Sequence, residues 1–195
     1  MPADRSAALA GAAVGLAYLA VRTGAADGVD DAVTTTLAHG RGPAADRLVG
    51  AVTDVGSIYG AAGTSAALAL TGRRALATEV AGAASLAWVG AQAIKPLLPR
   101  CRPYETGSAA RLVSPPAGTS WPSGHAAVAA AVATSVAPGT SRSTRIVLAG
   151  AVAGVGLSRL YVGVHHLTDI VAGAGVGVLA ARTARACARA VARRR

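Results

Sequence analysis

A chain of 195 residues that is 52% hydrophobic, has a positive mean hydropathy and carries long charge-free stretches is one domain by length and excludes an ordinary soluble globule. The net charge of +10 does not call for nucleic acid as a partner. Eleven of the nineteen basic residues fall in short segments that alternate along the chain with acidic ones, which is the pattern that membrane topology produces.

The apolar residues are mostly Ala, Val, Leu and Gly, small side chains that let helices in lipid approach closely. A tight all-α bundle over residues 1–195, as a single integral-membrane domain, is expected. A hydrocarbon core about 30 Å thick needs roughly 20 helical residues, fewer with snorkelling flanks, and by that measure the chain reads as six spans. They run Ser6 to Val21, Leu48 to Thr71, Ala75 to Leu98, Ser123 to Ala137, Thr144 to Val162 and His166 to Arg182.

The first span also fits a signal peptide, with Arg5 before the apolar stretch and Gly24-Ala25-Ala26 after it, but a retained span keeps the basic segments in phase. Residues 23–47, with Asp30, Val33, Leu37 and Arg41 three or four apart, suit a short amphipathic helix lying at the interface; a plain loop is the alternative. The fourth span is short and ends at Pro138-Gly139.

Arg5, Arg73, Arg74, Arg142, Arg145 and the tail Arg182, Arg185, Arg189, Arg193, Arg194 and Arg195 alternate with segments carrying Asp27, Asp30, Asp31, Asp46 and Glu105. The positive-inside rule then puts both termini in the cytoplasm and leaves Lys95, Arg102, His125, Arg159 and His165 at extracytoplasmic span ends. The Arg tail also suits anionic lipid. Cys101 and Cys187 fall at opposite faces, so no disulfide is expected between them.

Three clusters carry the chemistry. Lys95, Arg100 and Arg102 lie in a stretch stiffened by Pro96, Pro99 and Pro103, so their cations can grip a phosphate with little reorganisation; snorkelling basic residues at a helix end would look the same one at a time. Ser120-Trp121-Pro122-Ser123-Gly124-His125 reads as a helix opening, with Ser120 as N-cap, Pro122 in the first turn and Gly124 giving close backbone approach to an anion. An ordinary cap would explain the Ser and Pro but not His125. In the third cluster His165 and Asp169 are four apart on one helix face, so a carboxylate can hold the imidazole Nδ1–H and leave Nε2 as nucleophile. Arg159, His165 and Asp169 within a polar-poor membrane chain are too costly to be incidental.

A metal site built from His125, His165, His166 and Asp169 is the rival arrangement, but fixed cations already supply positive charge and no cofactor is called for. His39 and His166 read as structural or interfacial. Asp54 and Glu79 read as structural ion-pair partners, and Tyr18, Tyr59 and Trp88 as packing or interface residues.

With those residues in view, the chain resembles the type 2 phosphatidic acid phosphatase (PAP2) family, whose signature is Lys-x6-Arg-Pro, Pro-Ser-Gly-His and Ser-Arg-x5-His-x3-Asp. Lys95, Arg102, Pro103, Pro122, Ser123, Gly124, His125, Ser158, Arg159, His165 and Asp169 fill every signature position. The resemblance implies a haloperoxidase-like helical core. In it His165 attacks phosphorus, Asp169 orients His165, and His125 protonates the leaving oxygen and then activates water. Lys95, Arg102, Ser123, Gly124 and Arg159 would bind the phosphoryl oxygens.

A membrane phosphatase acting on a lipid phosphate or diphosphate without a metal is therefore expected, with phosphatidic acid, phosphatidylglycerol phosphate and polyprenyl diphosphate as candidate substrates. Two other readings make different predictions. A vanadate-dependent haloperoxidase would oxidise halide when given vanadate. A non-catalytic lipid-binding or transport protein using Asp54 and Glu79 would keep its function without His125 and His165.

Overall fold

The computed structural model describes residues 5–193; Arg194 and Arg195 of the basic tail lie outside the described residues. All regular elements among those residues are helical: α1 Arg5–Arg22, α2 Asp27–His39, α3 Pro43–Val52, α4 Ile58–Leu70, α5 Arg74–Ile94, α6 Pro103–Thr106, α7 Gly124–Val136, α8 Arg142–Tyr161 and α9 Leu167–Ala192, with 3₁₀ turns at Thr53–Gly56 and Lys95–Leu97. Helix α9 is the axis of the bundle. It packs against α7, α5 and α1, while α5 also meets α7 and α4, and α8 leans on α7.

Small residues make these contacts close. A Cβ on Gly173 would come within 2.3 Å of the Ser123 carbonyl, and one on Gly177 within 2.1 Å of the Ala127 carbonyl. Glycine at both positions is what lets α9 lie directly on the α7 backbone. On the remaining faces Ala83, Ala87 and Ala91 of α5, Ala127 and Ala131 of α7 and Ala180 and Ala181 of α9 form one buried cluster. A second gathers Ala17, Leu98, Trp121 and Ala172, with Tyr18 set edge-on to Trp121 at 5.8 Å between ring centroids. The second cluster seats the Trp121-Pro122 segment that precedes α7.

Several expected boundaries are met within two residues: α1, α7 and α8 match the first, fourth and fifth spans, whereas α5 starts one residue before the third but ends at Ile94, four residues short of Leu98, where the chain tightens into the 3₁₀ turn at Lys95–Leu97. The second expected span is not one helix. It breaks at Thr53–Gly56, where Ser57 restarts the chain as N-cap of α4 by accepting from the Gly60 N–H. A Cβ on Gly60 would sit 1.9 Å from the Val55 carbonyl, so the tight turn depends on glycine there. The sixth span is longer than expected, because α9 continues through the basic segment to Ala192. Residues 23–47 hold two helices, α2 and the start of α3, and Asp30 is wholly buried in place of facing an interface.

Among the described residues, Leu167–Ala192 is long and apolar enough to cross a membrane by itself; Arg5–Arg22 and Asp27–His39 reach that standard only as a joined pair bent by 94°. Ile58–Leu70 and Gly124–Val136 are apolar but 13 residues each. The six-span count is thus not reproduced by helix length and composition.

Candidate active site

The three sequence clusters meet at one end of the bundle. Lys95 closes α5, Arg102 precedes α6, His125 lies in the first turn of α7, Arg159 in the last turn of α8, and His165 in the turn that leads to α9. Lys95, Arg102, Gly124, His125 and His165 line one cavity of about 640 Å³. Ser123 and Asp169 stand behind its wall, fully buried.

Each group is held by the backbone around it. The Lys95 ammonium donates to the carbonyls of Thr119 at 2.5 Å and Pro122 at 3.3 Å. The Arg102 guanidinium donates to Val164 O at 2.8 Å, Gly118 O at 3.0 Å and Thr119 O at 3.1 Å. Both cations are therefore buried and directed with almost no side-chain freedom left to lose, as a rigid anion cradle requires. Burial lowers the pKa of Arg102, with Tyr104, Glu105 and Asp169 opposing.

Helix α7 does not start as the sequence suggested. Its N-cap is Ser123, whose hydroxyl accepts from Ala126 N at 3.4 Å. Ser120 lies too far upstream to cap the helix and instead donates its hydroxyl to Asp169 Oδ2 at 2.5 Å. The following Gly124 opens the helix at the cavity, where the N-terminal end of its dipole favours an anion.

His165 and Asp169 are brought together, though not by the full hydrogen bond expected. His165 Nδ1 stands 3.5 Å from Asp169 Oδ2, at the edge of what counts as a bond, and Nδ1 is a buried atom without a hydrogen-bond partner. Asp169 Oδ2 is taken by the Ser120 hydroxyl and by the His166 N–H at 2.8 Å, and Oδ1 by Arg100 Nη1 at 2.9 Å. The carboxylate is fixed by these donors with His165 beside it. Burial, only partly offset by Asp169, pulls the His165 pKa down to about 3, so the imidazole is uncharged at neutral pH.

Four residues enter that sequence reasoning left aside or placed elsewhere. Asp54, in the break between α3 and α4, accepts from His125 Nε2 at 3.1 Å and lies 3.5 Å from Arg159 Nη1. Thr53 accepts from Arg159 Nη1 at 3.0 Å and shares a 2.9 Å hydrogen bond with Ser158. Arg100, expected to grip phosphate, turns away from the cavity to Asp169 and Asp30. Asp30 itself bonds Arg100 and Thr168. In sequence Asp30 stands beside Asp27 and Asp31 as one of three neighbouring acids, so nothing local marked it as the buried one or said what it faced.

Glu79 pairs with Arg185 at 2.6 Å, joining α5 to α9 far from this site. No group of three or more His, Cys, Asp or Glu side chains is placed to hold a metal ion among the described residues, so His125, His165, His166 and Asp169 do not assemble as one. Cys101 and Cys187 are both free.

Fold and site together define a helical bundle with a cationic, imidazole-bearing cavity at one end. The sequence model of the PAP2 superfamily matches residues 75–193, and the chain belongs to that superfamily. Two crystal structures share its fold. LpxE of Aquifex aeolicus has a TM-score of 0.73 and 23% identity, over 81% of this chain and 95% of that one. The first transmembrane PAP2 type phosphatidylglycerolphosphate phosphatase from Bacillus subtilis has a TM-score of 0.77 and 20% identity, over 95% of this chain and 97% of that one. No curated protein matches in sequence.

Proposed function

We propose that this protein is an integral-membrane phosphatase that hydrolyses the phosphomonoester or diphosphate of a lipid through a phosphohistidine. The observation that carries the reading is the shared cavity, in which Lys95, Arg102, the start of α7, His125 and His165 face one space. Phosphoryl transfer asks mainly for positioning and charge stabilisation, and those groups supply both. His165 would attack phosphorus as the bond to the leaving oxygen breaks, and His125 would give that oxygen a proton. His125 would then take a proton from water as water oxygen bonds to phosphorus and the N–P bond breaks. Lys95, Arg102 and Arg159 would balance the charge on the phosphoryl oxygens, with Ser123 and the Gly124 N–H adding hydrogen bonds; no metal is required by this scheme.

A lipid substrate is supported by what surrounds the cavity. Tyr59 and Trp88 line it while largely exposed, and Leu9, Leu16, Leu19, Leu70, Val89, Ile146 and Val147 are exposed on the outer helix faces. So much outward apolar surface suits a hydrocarbon surround. The Bacillus subtilis structure that shares the fold is described as transmembrane and acts on phosphatidylglycerolphosphate. The cavity would lie at the extracytoplasmic face with both termini in the cytoplasm.

The test is phosphate release by detergent-purified protein from phosphatidic acid, phosphatidylglycerol phosphate and a polyprenyl diphosphate, with chelator present. Release from one or more, lost in His165→Ala, is the expected result. Turnover unchanged in His165→Ala would overturn the mechanism, and release abolished by chelator would overturn the metal-free scheme.

A further inference from the structure

Asp30 is a carboxylate with no place in the chemistry above, yet it is completely buried. Its Oδ1 accepts the Thr168 N–H at 3.0 Å, and its Oδ2 accepts the Thr168 hydroxyl at 2.6 Å and Arg100 Nη2 at 2.7 Å. The other arm of the same guanidinium, Nη1, reaches Asp169 Oδ1 at 2.9 Å and Thr168 Oγ1 at 2.8 Å. One arginine is thus forked between two buried acids, one from α2 and one from α9.

Burying a second carboxylate is expensive and seldom repaid in stability alone. Its consequence for charge is specific. Arg100 paired with Asp169 alone would be a neutral couple, and Asp169 would have little field left to offer the neighbouring imidazole. With Asp30 present, the trio of two carboxylates and one guanidinium carries one net negative charge beside His165. The other charged groups around His165 are Arg102 from the segment before α6 and Arg159 from α8, with Lys95 beyond Asp169; His125 of α7 and the adjacent His166 are the remaining titratable ones. Arg102 and Arg159 disfavour an imidazolium and Asp169 favours it, while the Asp54 carboxylate is directed to His125 and Arg159.

We propose that Asp30 and Arg100 are positioning residues for phosphoryl transfer: Arg100 locks the Asp169 carboxylate beside His165, and Asp30 neutralises Arg100 so that the Asp169 charge acts on the imidazole. This rests on the reading of His165 as nucleophile. When His165 bonds phosphorus through Nε2 and keeps its Nδ1 proton, the ring becomes cationic, and the charge that Asp169 retains stabilises it. Helix α2 is then part of the catalytic apparatus although it lies outside the residues that match the superfamily.

The experiment compares full-length wild type, Asp30→Asn, Arg100→Gln and the double variant, with His165→Ala as control. Three readouts are taken: kcat and KM on the best lipid phosphate, Tm, and the rate at which diethyl pyrocarbonate carbethoxylates His165 at pH 6, followed by peptide mass spectrometry. Each single variant should lose about 10- to 100-fold in kcat with KM within about threefold. Carbethoxylation should move in opposite senses, faster in Arg100→Gln, where Asp169 is uncompensated and the ring more basic, and slower in Asp30→Asn. The double variant should lie closer to wild type in that rate than either single one.

Rates of carbethoxylation that stay at the wild-type value or shift the same way in both single variants, with Tm alone lowered, would reduce the pair to a scaffold and overturn the proposal. Absence of phosphate release by wild type would defeat the phosphatase reading instead, and the carbethoxylation rates, which need no turnover, would still decide the role of the pair.

Discussion

At the scale of single residues, charge placement decides what His165 and Asp54 do. The buried His165 imidazole resists protonation down to about 3, whereas in an unfolded chain it takes a proton near 6.5. Between those values the unfolded state binds the extra proton, so stability is full above about pH 6.5 and falls as pH drops toward 3. Thermal unfolding in detergent at pH 7 and pH 4.5 should show a Tm drop that is smaller in His165→Asn, which has no proton to take up; equal drops would contradict the assignment. Arg100 titrates in the other sense: burial opposes its charge, but Asp169 and Asp30 outweigh burial and raise its pKa, so it remains a fixed cation at any working pH. Asp54 poses the opposite problem, a carboxylate 76% exposed at 3.1 Å from His125 and 3.5 Å from Arg159. A negative charge on Arg159 competes with any phosphoryl oxygen for it, and exposed charge contacts are worth about 1 kcal/mol or less. Asp54→Asn is therefore expected to strengthen inhibition by inorganic phosphate by up to about fivefold, measured as the inhibition constant; weaker inhibition would show that Asp54 helps to bind the anion, through His125.

At the scale of elements, the site depends on how closely α9 lies on α7. Ser123 donates its N–H to the Asp169 carbonyl at 3.0 Å, and Gly173, one turn further along α9, faces the Ser123 carbonyl. A methyl at Gly173 must push the two helix starts apart, and the same methyl at Gly177 pushes apart the α7 and α9 backbones a further turn away. Overpacking of this kind costs about 1–3 kcal/mol. Both Gly173→Ala and Gly177→Ala should lower Tm, but Gly173→Ala should lose the larger share of kcat because it moves Ser123 against Asp169. Equal activity losses at equal Tm would mean that the α7 start tolerates displacement. The contrast also shows what the sequence could convey. Lys95, Arg102, Gly124, His125 and His165 were legible because each sits in a short motif whose spacing carries the chemistry, and the three helices matched within two residues, α1, α7 and α8, were legible from apolar runs bounded by Arg, Pro and Gly. The break at Thr53–Gly56 was hidden, since Leu48 to Thr71 is apolar enough to read as one helix and the turn is forced by contacts of Val55, Ser57 and Gly60. Asp30, Arg100 and Thr168 were hidden for another reason: the partners are about 70 or more residues apart, and no local pattern records which buried acid a distant arginine will meet.

At the scale of the whole molecule, the question is which way the bundle faces. The cavity lies at the end reached by Lys95, Gly124, His125 and His165, while the opposite end carries Arg73, Arg74, Arg142 and Arg145 at helix starts and Arg185 and Arg189 near the end of α9. If the basic residues are held on the cytoplasmic side, as the positive-inside rule predicts, the cavity would open outward. The two cysteines report on this directly, because both are exposed and free. Cys101 lies between Arg100 and Arg102 beside the site, and Cys187 lies in the C-terminal part of α9. In Cys101→Ser and Cys187→Ser variants, each retaining one thiol, a membrane-impermeant maleimide applied to intact cells should label the protein that keeps Cys101. It should label the one that keeps Cys187 only after the membrane is permeabilised. The reverse pattern would place phosphate chemistry on the cytoplasmic face and invert the topology. Labelling of both in intact cells would mean that the C-terminal half of α9 is not on the far side of the membrane from the cavity, and its arginines would then have to be explained by a surface other than the inner leaflet.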